Sequence, residues 1–364
     1  MTDAVLAACS PGEVRVAAVR GGRLVDYAVW RPGRPDGVGE VHVGRVSAVM
    51  PALAGAFVAL DGADGFLPDS AGAAGLSQGD AVAVRIVRAA QGGKGPRLAA
   101  LPDAASLPPR RLHPGPGAVE RLALLHPDLP VFVDDPALAS GLRAALGDRV
   151  QVGPAFDDAL ESEIAALASP GVALPGGLQA SIHPTPALVA IDIDTAAAST
   201  SRQGKQALQR ALNEAMLPEL ARQIRLRNLS GAILVDFAGM ALRRRAALGP
   251  ALAAALASDP VKPRFLGFTG LGFAEISRPR VHAPLHELLS GPHAAGLAAL
   301  RRIAADFDPA RAPVLRAAPA AVAALLADPV ALPALAHRLG RTLILRSDPQ
   351  LGRSGWSTEE TRRE

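Results

Sequence analysis

The chain has 364 residues, of which 49% are hydrophobic, so it is long enough for two or three domains with buried cores. Its formal net charge is +4 and its pI is about 9.9, a balance that suits contact with phosphates without naming a partner. The single cysteine, Cys9, excludes an intramolecular disulfide and a zinc site built from several cysteines. Because no basic stretch precedes an apolar one at the N-terminus, and no window of about 18 residues is uninterruptedly apolar, we expect a cytoplasmic protein without membrane insertion.

The first third of the chain is predicted to be mostly β-structure. Residues 13–30, "EVRVAAVRGGRLVDYAVW", alternate around a Gly-Gly pair and predict a β-hairpin. Residues 38–101 hold several short strands separated by Gly and Asp, a spacing typical of a small barrel. The following segment is rich in proline, which predicts a linker over residues 103–118.

Strands and helices alternate beyond this linker. The strand "LVAIDIDTA", residues 188–196, is followed by a long helical stretch interrupted by Pro218 and then by the apolar strand "AILVDFAGM". Strand, helix and strand in this order predict a βαβ unit whose two strands lie side by side. After about residue 295 the pattern is helical with one late strand, and residues 348–364 are expected to form a loose tail.

Two carboxylates stand two residues apart on the first of these strands. Asp192 and Asp194 would point to the same face, roughly 7 Å from each other. Like charges so close need a cation nearby, which could be an arginine or a metal ion, although a solvated strand end would explain the pair equally well. Asp236 ends the second strand and could converge on the same place.

Several motifs resemble the ribonuclease E/G family. "ALVAIDIDTA" and "ARQIRLRNLSGAILVDFAGM" are similar to that family's catalytic pattern of "AIDIN", "ARQLRLRDLGG" and "IDF". "LPGGLQASIHPTPALVAID", "FTGLGFAEISRPR" and the N-terminal hairpin resemble the same family in the same order, so the likeness extends over nearly the whole chain.

The resemblance implies an α/β and all-β multidomain fold. An OB-fold barrel would be inserted before an α/β catalytic region, RNase H-like plus DNase I-like, with a small C-terminal α/β domain. The implied divisions are 1–36, an N-terminal hairpin belonging to the RNase H-like subdomain; 37–102, an S1-like OB-fold RNA-binding domain; 103–118, the linker; 119–170, the rest of the RNase H-like subdomain; 171–290, the DNase I-like catalytic domain; and 291–364, the small C-terminal domain and tail.

By motif position, Asp192 and Asp236 match the carboxylates that hold magnesium in that family. Mg²⁺ is usually bound by one or two carboxylates, with water and phosphate completing its shell. Asp194 replaces the family's Asn, which keeps an acceptor and loses an amide donor; we include it in the catalytic group with its role left open. Mn²⁺ is an alternative metal.

No structural zinc is expected, because the family's zinc-link cysteine pair is missing. His282, His286 and His293 stand at the equivalent place, but histidines in such a setting are more typical of surface or core positions than of a zinc site. A homodimer formed through the C-terminal domain is left open.

The resemblance also assigns RNA contacts in the barrel. Phe57 and Phe66 match aromatic residues that stack on bases in the family, and Lys94 matches a basic contact. Phenylalanines are equally needed inside a barrel, which is the alternative for both.

Three arginines lie on the helix that leads to Asp236. Arg222, Arg225 and Arg227 are candidates for binding RNA phosphates, whereas a solvated helix face is the alternative interpretation.

The implied function is a metal-dependent endoribonuclease that cuts single-stranded RNA and leaves a 5′ phosphate and a 3′ hydroxyl. One alternative is a catalytically inactive RNA-binding regulator, kept open by Asp194 and by Gly239, which stands where the family's "IDFIDM" pattern has its second Asp. A second is a metal-dependent enzyme acting on a small phosphate ester.

The region that senses a 5′ monophosphate in the family is largely missing between the barrel and the catalytic region. We therefore predict little preference for 5′-monophosphorylated over 5′-triphosphorylated RNA. Cleavage rates of two otherwise identical substrates measure this, and a difference above about tenfold, or roughly 1.4 kcal/mol, would contradict it.

Overall fold

The computed structural model describes residues 2–102, 108–195, 205–237, 239–308 and 311–362. Its strands are β1 (Ala4–Ser10), β2 (Glu13–Arg20), β3 (Arg23–Trp30), β4 (Val41–Met50), β5 (Gly55–Ala59), β6 (Asp64–Pro68), β7 (Ala81–Arg88), β8 (Arg97–Ala100), β9 (Arg110–His113), β10 (Val131–Val133), β11 (Val150–Val152), β12 (Gly171–Leu174), β13 (Leu178–Pro184), β14 (Val189–Thr195), β15 (Gly231–Asp236), β16 (Arg264–Phe268), β17 (Ala274–Arg278), β18 (Arg311–Ala317), β19 (Ile344–Ser347) and β20 (Trp356–Arg362). Its α-helices are α1 (Ala118–Leu125), α2 (Pro136–Leu146), α3 (Asp158–Ala166), α4 (Lys205–Leu226), α5 (Leu242–Arg245), α6 (Gly249–Leu256), α7 (Leu285–Leu288), α8 (Gly291–Ala305), α9 (Pro319–Leu326) and α10 (Ala331–Leu339).

The chain is a mixed α/β protein that divides into two compact units. The first contains Met1–Arg34, Ala118–Pro279 and Pro284–Glu364, and the second contains Pro35–Gly117 and Arg280–Ala283. The first unit is α/β throughout, whereas the second is built on a β-barrel.

The first unit begins with a five-stranded sheet in the order β11-β10-β1-β2-β3. The predicted hairpin is confirmed, because β2 and β3 pair antiparallel around the Gly-Gly turn. Val5 of β1 and Val16 of β2 are fully buried together with residues of α1 and α2. Apolar burial on this face fixes the register of the sheet, since a slip of one residue would turn every one of these side chains outward.

The second sheet has six strands in the order β12-β13-β14-β15-β17-β16. The predicted βαβ unit is confirmed: β14 and β15 pair in parallel, and α4 connects them. Ile191, Ile193 and Val235 are buried in one core with residues of α4 and α6, so helices cover this face of the sheet. The helix α4 continues through Pro218.

The third sheet, β19-β18-β20, forms a small C-terminal layer with α8, α9 and α10. The expectation of a loose tail over residues 348–364 is wrong, because β20 pairs antiparallel with β18 along its whole length. Its sequence, "WSTEETR", lacks the alternation of apolar and polar residues that predicts a strand. Backbone hydrogen bonds to a neighbour distant in sequence stabilise it.

The second unit contains a closed five-stranded ring, β4-β5-β6-β8-β7, in which β7 returns to pair with β4. Val46, Val58, Leu67, Val84 and Leu98 are buried inside the ring. The segment that we predicted as a linker contains β9, which pairs antiparallel with residues 41–43 at the start of β4.

Among the described residues, no single helix is both long and apolar enough to cross a membrane. One pair, α9 with α10, satisfies the criterion only if taken together, and the two helices are bent by 84° relative to each other.

Two arginine–aspartate pairs of the first unit allow a test of what burial does to an ion pair. Arg278 and Asp259, with 4% and 5% of their side chains exposed, are joined at 2.7 Å, and Arg278 also donates to Asn228 and Leu229. We expect Arg278→Ala to lower the free energy of unfolding by about 3–5 kcal/mol, because Asp259 is left as a buried, uncompensated charge.

Urea denaturation followed by circular dichroism measures this effect. The matched control is Arg20→Ala, since Arg20 and Asp128 form a similar bidentate pair with 45% and 60% of their side chains exposed. Exposed pairs contribute about 0–1 kcal/mol, so equal losses in both variants would contradict the expectation.

Candidate active site

The candidate site lies on the face of the second sheet that the helices leave open. Asp192 of β14 and Asp236 of β15 are directly opposite each other in the parallel register. Neighbouring strands are about 4.7–4.9 Å apart, so the backbone holds the two carboxylates side by side. Asp194 is exposed on the same face two residues further on, while Ile191 and Ile193 point into the core.

The antiparallel neighbour β13 adds polar groups to this face. Ser181 lies opposite Asp192 and Gln179 lies opposite Asp194. The hydroxyl of Ser181 is 2.7 Å from Nε2 of His183, whose charge acts favourably on Asp192. Ser181 and His183 were not predicted as site residues, although the alternation of "LQASIHP" places both on one face of a strand.

The environment raises the pKa of Asp192 above its ordinary value. Partial burial is the largest cause, followed by the negative charges of Asp194 and Asp236 and by a hydrogen bond to Asp194. His183 opposes these effects. The three carboxylates therefore repel one another, and a cation bound among them would relieve the repulsion.

Asp236 already has one cationic partner. Nη1 of Arg245 donates to its Oδ1 at 2.5 Å and to the carbonyl of Gly272 at 2.9 Å, and Nε of Arg245 donates to the carbonyl of Met240. These contacts orient the carboxylate. Arg245 belongs to the run "RRR", and its role could not be distinguished by sequence from those of its two neighbours.

The donor set is suited to a hard divalent cation. No three Asp, Glu, His or Cys side chains within the described ranges are grouped closely enough to bind a metal by themselves. Mg²⁺ commonly uses one or two protein carboxylates and completes its shell with water and phosphate, so Asp192 and Asp236 fit that mode. The arrangement would suit an ion that is held jointly with a phosphate substrate.

Gly239, where the resembled pattern has Asp, follows β15 with a positive φ of 62°. A Cβ atom at this position would lie 3.1 Å from the Cδ of Gln209 on α4. Any residue with a side chain would be strained here, which is a physical reason for glycine at this position.

In the second unit, Phe57 and Phe66 lie on the outside of the barrel. They are opposite each other on β5 and β6, and their ring centroids are 5.5 Å apart in an edge-to-face arrangement. Both are partly exposed, whereas the adjacent Val58 and Leu67 are buried inside the ring. Neither ring therefore fills the interior of the barrel, which was the alternative to a role in base stacking. Lys94 is exposed in the turn between β7 and β8.

The three predicted arginines of α4 and its end contact protein groups. Arg222 donates to Glu219, to Glu163 at 2.9 Å and to the carbonyl of Leu24.

Arg225 forms a bidentate pair with Asp26, which also binds His126, and the buried Arg227 donates to the carbonyl of Leu167. Burial lowers the pKa of Arg227. Phosphate contacts for these three arginines stay a prediction, and these internal bonds favour a structural role.

The three histidines considered as metal ligands have separate partners. His282 is 2.5 Å from Asp36, and His293 is 2.8 Å from Asp328. His286 lies 3.9 Å from Glu287.

Fold and site thus define a mixed α/β protein with a β-barrel unit and a carboxylate site on two adjacent parallel strands. Residues 145–281, which include Asp192 and Asp236, match the model of the Ribonuclease E/G family.

Curated relatives agree with this match. Ribonuclease E of a Nostoc species is 36% identical over 120 residues, covering 33% of this chain and 17% of the relative. Ribonuclease G of Escherichia coli strain K12 is 34% identical over 156 residues, covering 42% of this chain and 31% of the relative. Ribonuclease E of the same strain is 34% identical over 131 residues, covering 35% of this chain and 12% of the relative.

The predicted resemblance to the Ribonuclease E/G family is confirmed over residues 145–281, and these relatives support it. The chain spans less than a third of the length of each of these relatives.

Removing one of the repelling charges tests the electrostatics of the site. We expect Asp194→Asn to stabilise the protein in EDTA at pH 7, on the scale of the roughly 1 kcal/mol between two unit charges about 4 Å apart in water. A carboxylate with a raised pKa lowers stability when it is ionised, so the gain should shrink as the pH falls through the pKa of Asp192. Urea denaturation at several pH values measures it, and a loss of stability at pH 7 would contradict it.

Proposed function

We propose that this protein is an endoribonuclease that cleaves single-stranded RNA with the help of a divalent cation, Mg²⁺ or Mn²⁺. The observation that carries this proposal is the pairing of Asp192 with Asp236 across two parallel strands, on a sheet face that already holds a third carboxylate. The match of residues 145–281 to the Ribonuclease E/G family supports an RNA substrate and hydrolysis of its backbone.

Each residue of the site would have a separate role in cation binding or in contact with the substrate. Asp192 and Asp236 would hold the cation, and Arg245 would keep the Asp236 carboxylate oriented through its bonds to Gly272 and Met240. When bound, the ion would activate water and stabilise negative charge on the scissile phosphate. His183, on the neighbouring strand, would add positive charge near the phosphate when protonated.

Asp194 would change the electrostatics of this site without being a required ligand of the cation. Its charge contributes to the raised pKa of Asp192, and its carboxylate would strengthen cation binding while repelling an RNA phosphate. Cleavage products with a 5′ phosphate and a 3′ hydroxyl are part of the proposal.

The second unit would hold the RNA. We propose that residues 37–102 form an S1-like OB-fold module and that Phe57 and Phe66, on the outer face of the barrel, stack on unpaired bases. Lys94 would contact the backbone. Stacking and phosphate charge discriminate weakly between sequences, so selectivity should be low.

For the first unit we propose the family's architecture. The sheet β11-β10-β1-β2-β3 would be the RNase H-like part, the acid-bearing sheet would be the DNase I-like part, and the C-terminal layer would be a small separate domain with dimerisation left open.

The competing candidate is an RNA-binding regulator without cleavage activity. The third carboxylate at Asp194 is the observation that favours it, since an additional negative charge opposes the approach of RNA phosphate.

Asp236→Asn separates the two candidates. The substitution keeps the shape of the side chain and removes the charge, so we expect cleavage in Mg²⁺ to fall by roughly 100-fold or more while RNA binding is kept. A short fluorescent unstructured RNA, incubated in Mg²⁺ and in EDTA and then separated on a denaturing gel, measures both. Asp148→Asn, an exposed carboxylate outside the site, is the matched control and should cleave like the wild type.

Internal cuts that need Mg²⁺ and disappear only in Asp236→Asn support the endonuclease. Binding by the wild type without any cuts would establish the regulator instead, and cuts that persist in Asp236→Asn would remove this carboxylate from the mechanism.

A further inference from the structure

One face of the first sheet borders a cavity. Val14 and Val16 of β2 pack against α1 and α2, so the alternation of the strand points Glu13 and Arg15 to the opposite face. Part of that opposite face is buried under α3. Beyond this contact, Glu13 and Arg15 line a cavity of about 690 Å³. Small-molecule sites are typically clefts of roughly 300–1,000 Å³, so this space would accept a ligand of moderate size.

The cavity exists because two helices border it with small side chains. Ala294, Ala298 and Ala305 of α8 line it, and their spacing places them on one stripe of the helix. α3 contributes Ile164 and Ala165. Protein interiors are packed so closely that few voids exceed the size of a water molecule. Alanine at these positions therefore leaves room that longer apolar side chains would have filled.

The arginines of the cavity outnumber the carboxylates that pair with them. Glu13, with 3% of its surface exposed, accepts hydrogen bonds from Arg31 at 2.9 Å and from Arg301 at 2.8 Å. Two guanidinium groups thus share one carboxylate. Arg15 is matched by Glu161, to which it donates hydrogen bonds at 2.6 and 2.7 Å. This cluster of five side chains therefore has one positive charge in excess.

Arg301 is the member of the cluster with donors left for a ligand. Its side chain is 35% exposed, and among the described residues it donates only to Glu13. A guanidinium carries five N–H donors, so several can still bind an anion. Arg302, the next residue of α8, also lines the cavity and is paired with Asp306.

Two aromatic side chains stand beside these charges. Trp356 of β20 is half-buried and lines the cavity. Tyr27 of β3 lines it as well, and the charges of Arg301 and Glu13 both act on its hydroxyl. Burial raises the pKa of Tyr27, so the hydroxyl stays protonated and can donate a hydrogen bond. An indole ring, a hydroxyl donor and an excess of positive charge are thus brought together around one space.

We propose that this cavity binds a small organic anion with a planar aromatic body. Arg301 would bind the anionic group through charge-assisted hydrogen bonds, and Trp356 and the alanines of α8 would contact the aromatic body. A mononucleotide and an aromatic carboxylate share this chemistry. The first sheet, α3 and the C-terminal layer build the cavity, whereas Asp192 and Asp236 lie on the second sheet, so this proposal does not rest on the proposed function.

A fluorescent aromatic anion tests the proposal. Anilinonaphthalene sulfonate is the probe, and its fluorescence increase on titration of the full chain measures affinity and stoichiometry. We expect one probe molecule per chain. Adenosine monophosphate, indoleacetate and inorganic phosphate are then added separately as competitors. Thermal melting verifies that each variant is folded, because partly unfolded chains also bind this probe.

The excess charge is tested at Arg301. We expect Arg301→Gln to bind the probe about tenfold more weakly, because a charge-assisted hydrogen bond to the anion is lost. Arg301→Lys keeps the charge and should retain most of the affinity. Arg143→Gln is the matched control, since Arg143 is an exposed arginine of α2 that does not line the cavity.

The space itself is tested by filling it from both helices. We expect Ala165→Phe/Ala298→Trp to abolish binding of the probe, because the new rings would occupy the volume that the ligand needs. Ala144→Phe/Ala145→Trp is the control, since it adds the same rings to two exposed positions of α2 and should bind like the wild type. If the filled variant does not fold, the comparison of the Arg301 variants decides by itself.

Failure of the wild type to bind the probe, unchanged affinity in the filled variant or in Arg301→Gln, or an equal loss in either control would overturn the proposed site. Displacement by adenosine monophosphate supports a mononucleotide as the ligand, and displacement by indoleacetate supports an aromatic carboxylate. Displacement by neither of them, or by inorganic phosphate as readily as by both, would show that an aromatic anion is not the ligand.

Discussion

The candidate site depends on the register of two parallel strands, and the register depends on apolar burial. Asp192 is opposite Asp236 only because Ile191, Ile193 and Val235 are buried against the helices that cover the other face of the sheet. A slip of one residue would turn the carboxylates into this core, and burying unpaired charges is far more costly than any local preference of the chain. The hydrophobic core thus holds like charges in a position that they would not adopt by themselves.

Elements defined by local pattern could be predicted well. The hairpin of β2 and β3, the barrel and the βαβ unit follow from periodicity and turn residues, which act over a few neighbouring positions. β20 was mispredicted because its polar sequence carries no such periodicity, and its pairing partner β18 lies some forty residues earlier in the chain. His183 escaped prediction, and the contact of Arg245 with Asp236 could not be singled out within the run "RRR", because only the packed sheet brings these side chains beside the carboxylates.

The sequence by itself determined the types of groups available: carboxylates on an apolar strand, aromatic residues in a barrel, and arginine in place of most lysine. The tertiary structure decided what each group does. Arg225 and Arg278 neutralise partly or fully buried aspartates, whereas Arg245 forms an ion pair with Asp236 of the candidate site. The reason is that the role of a charge is set by the burial and sign of its neighbours in space, and those neighbours come from distant parts of the chain.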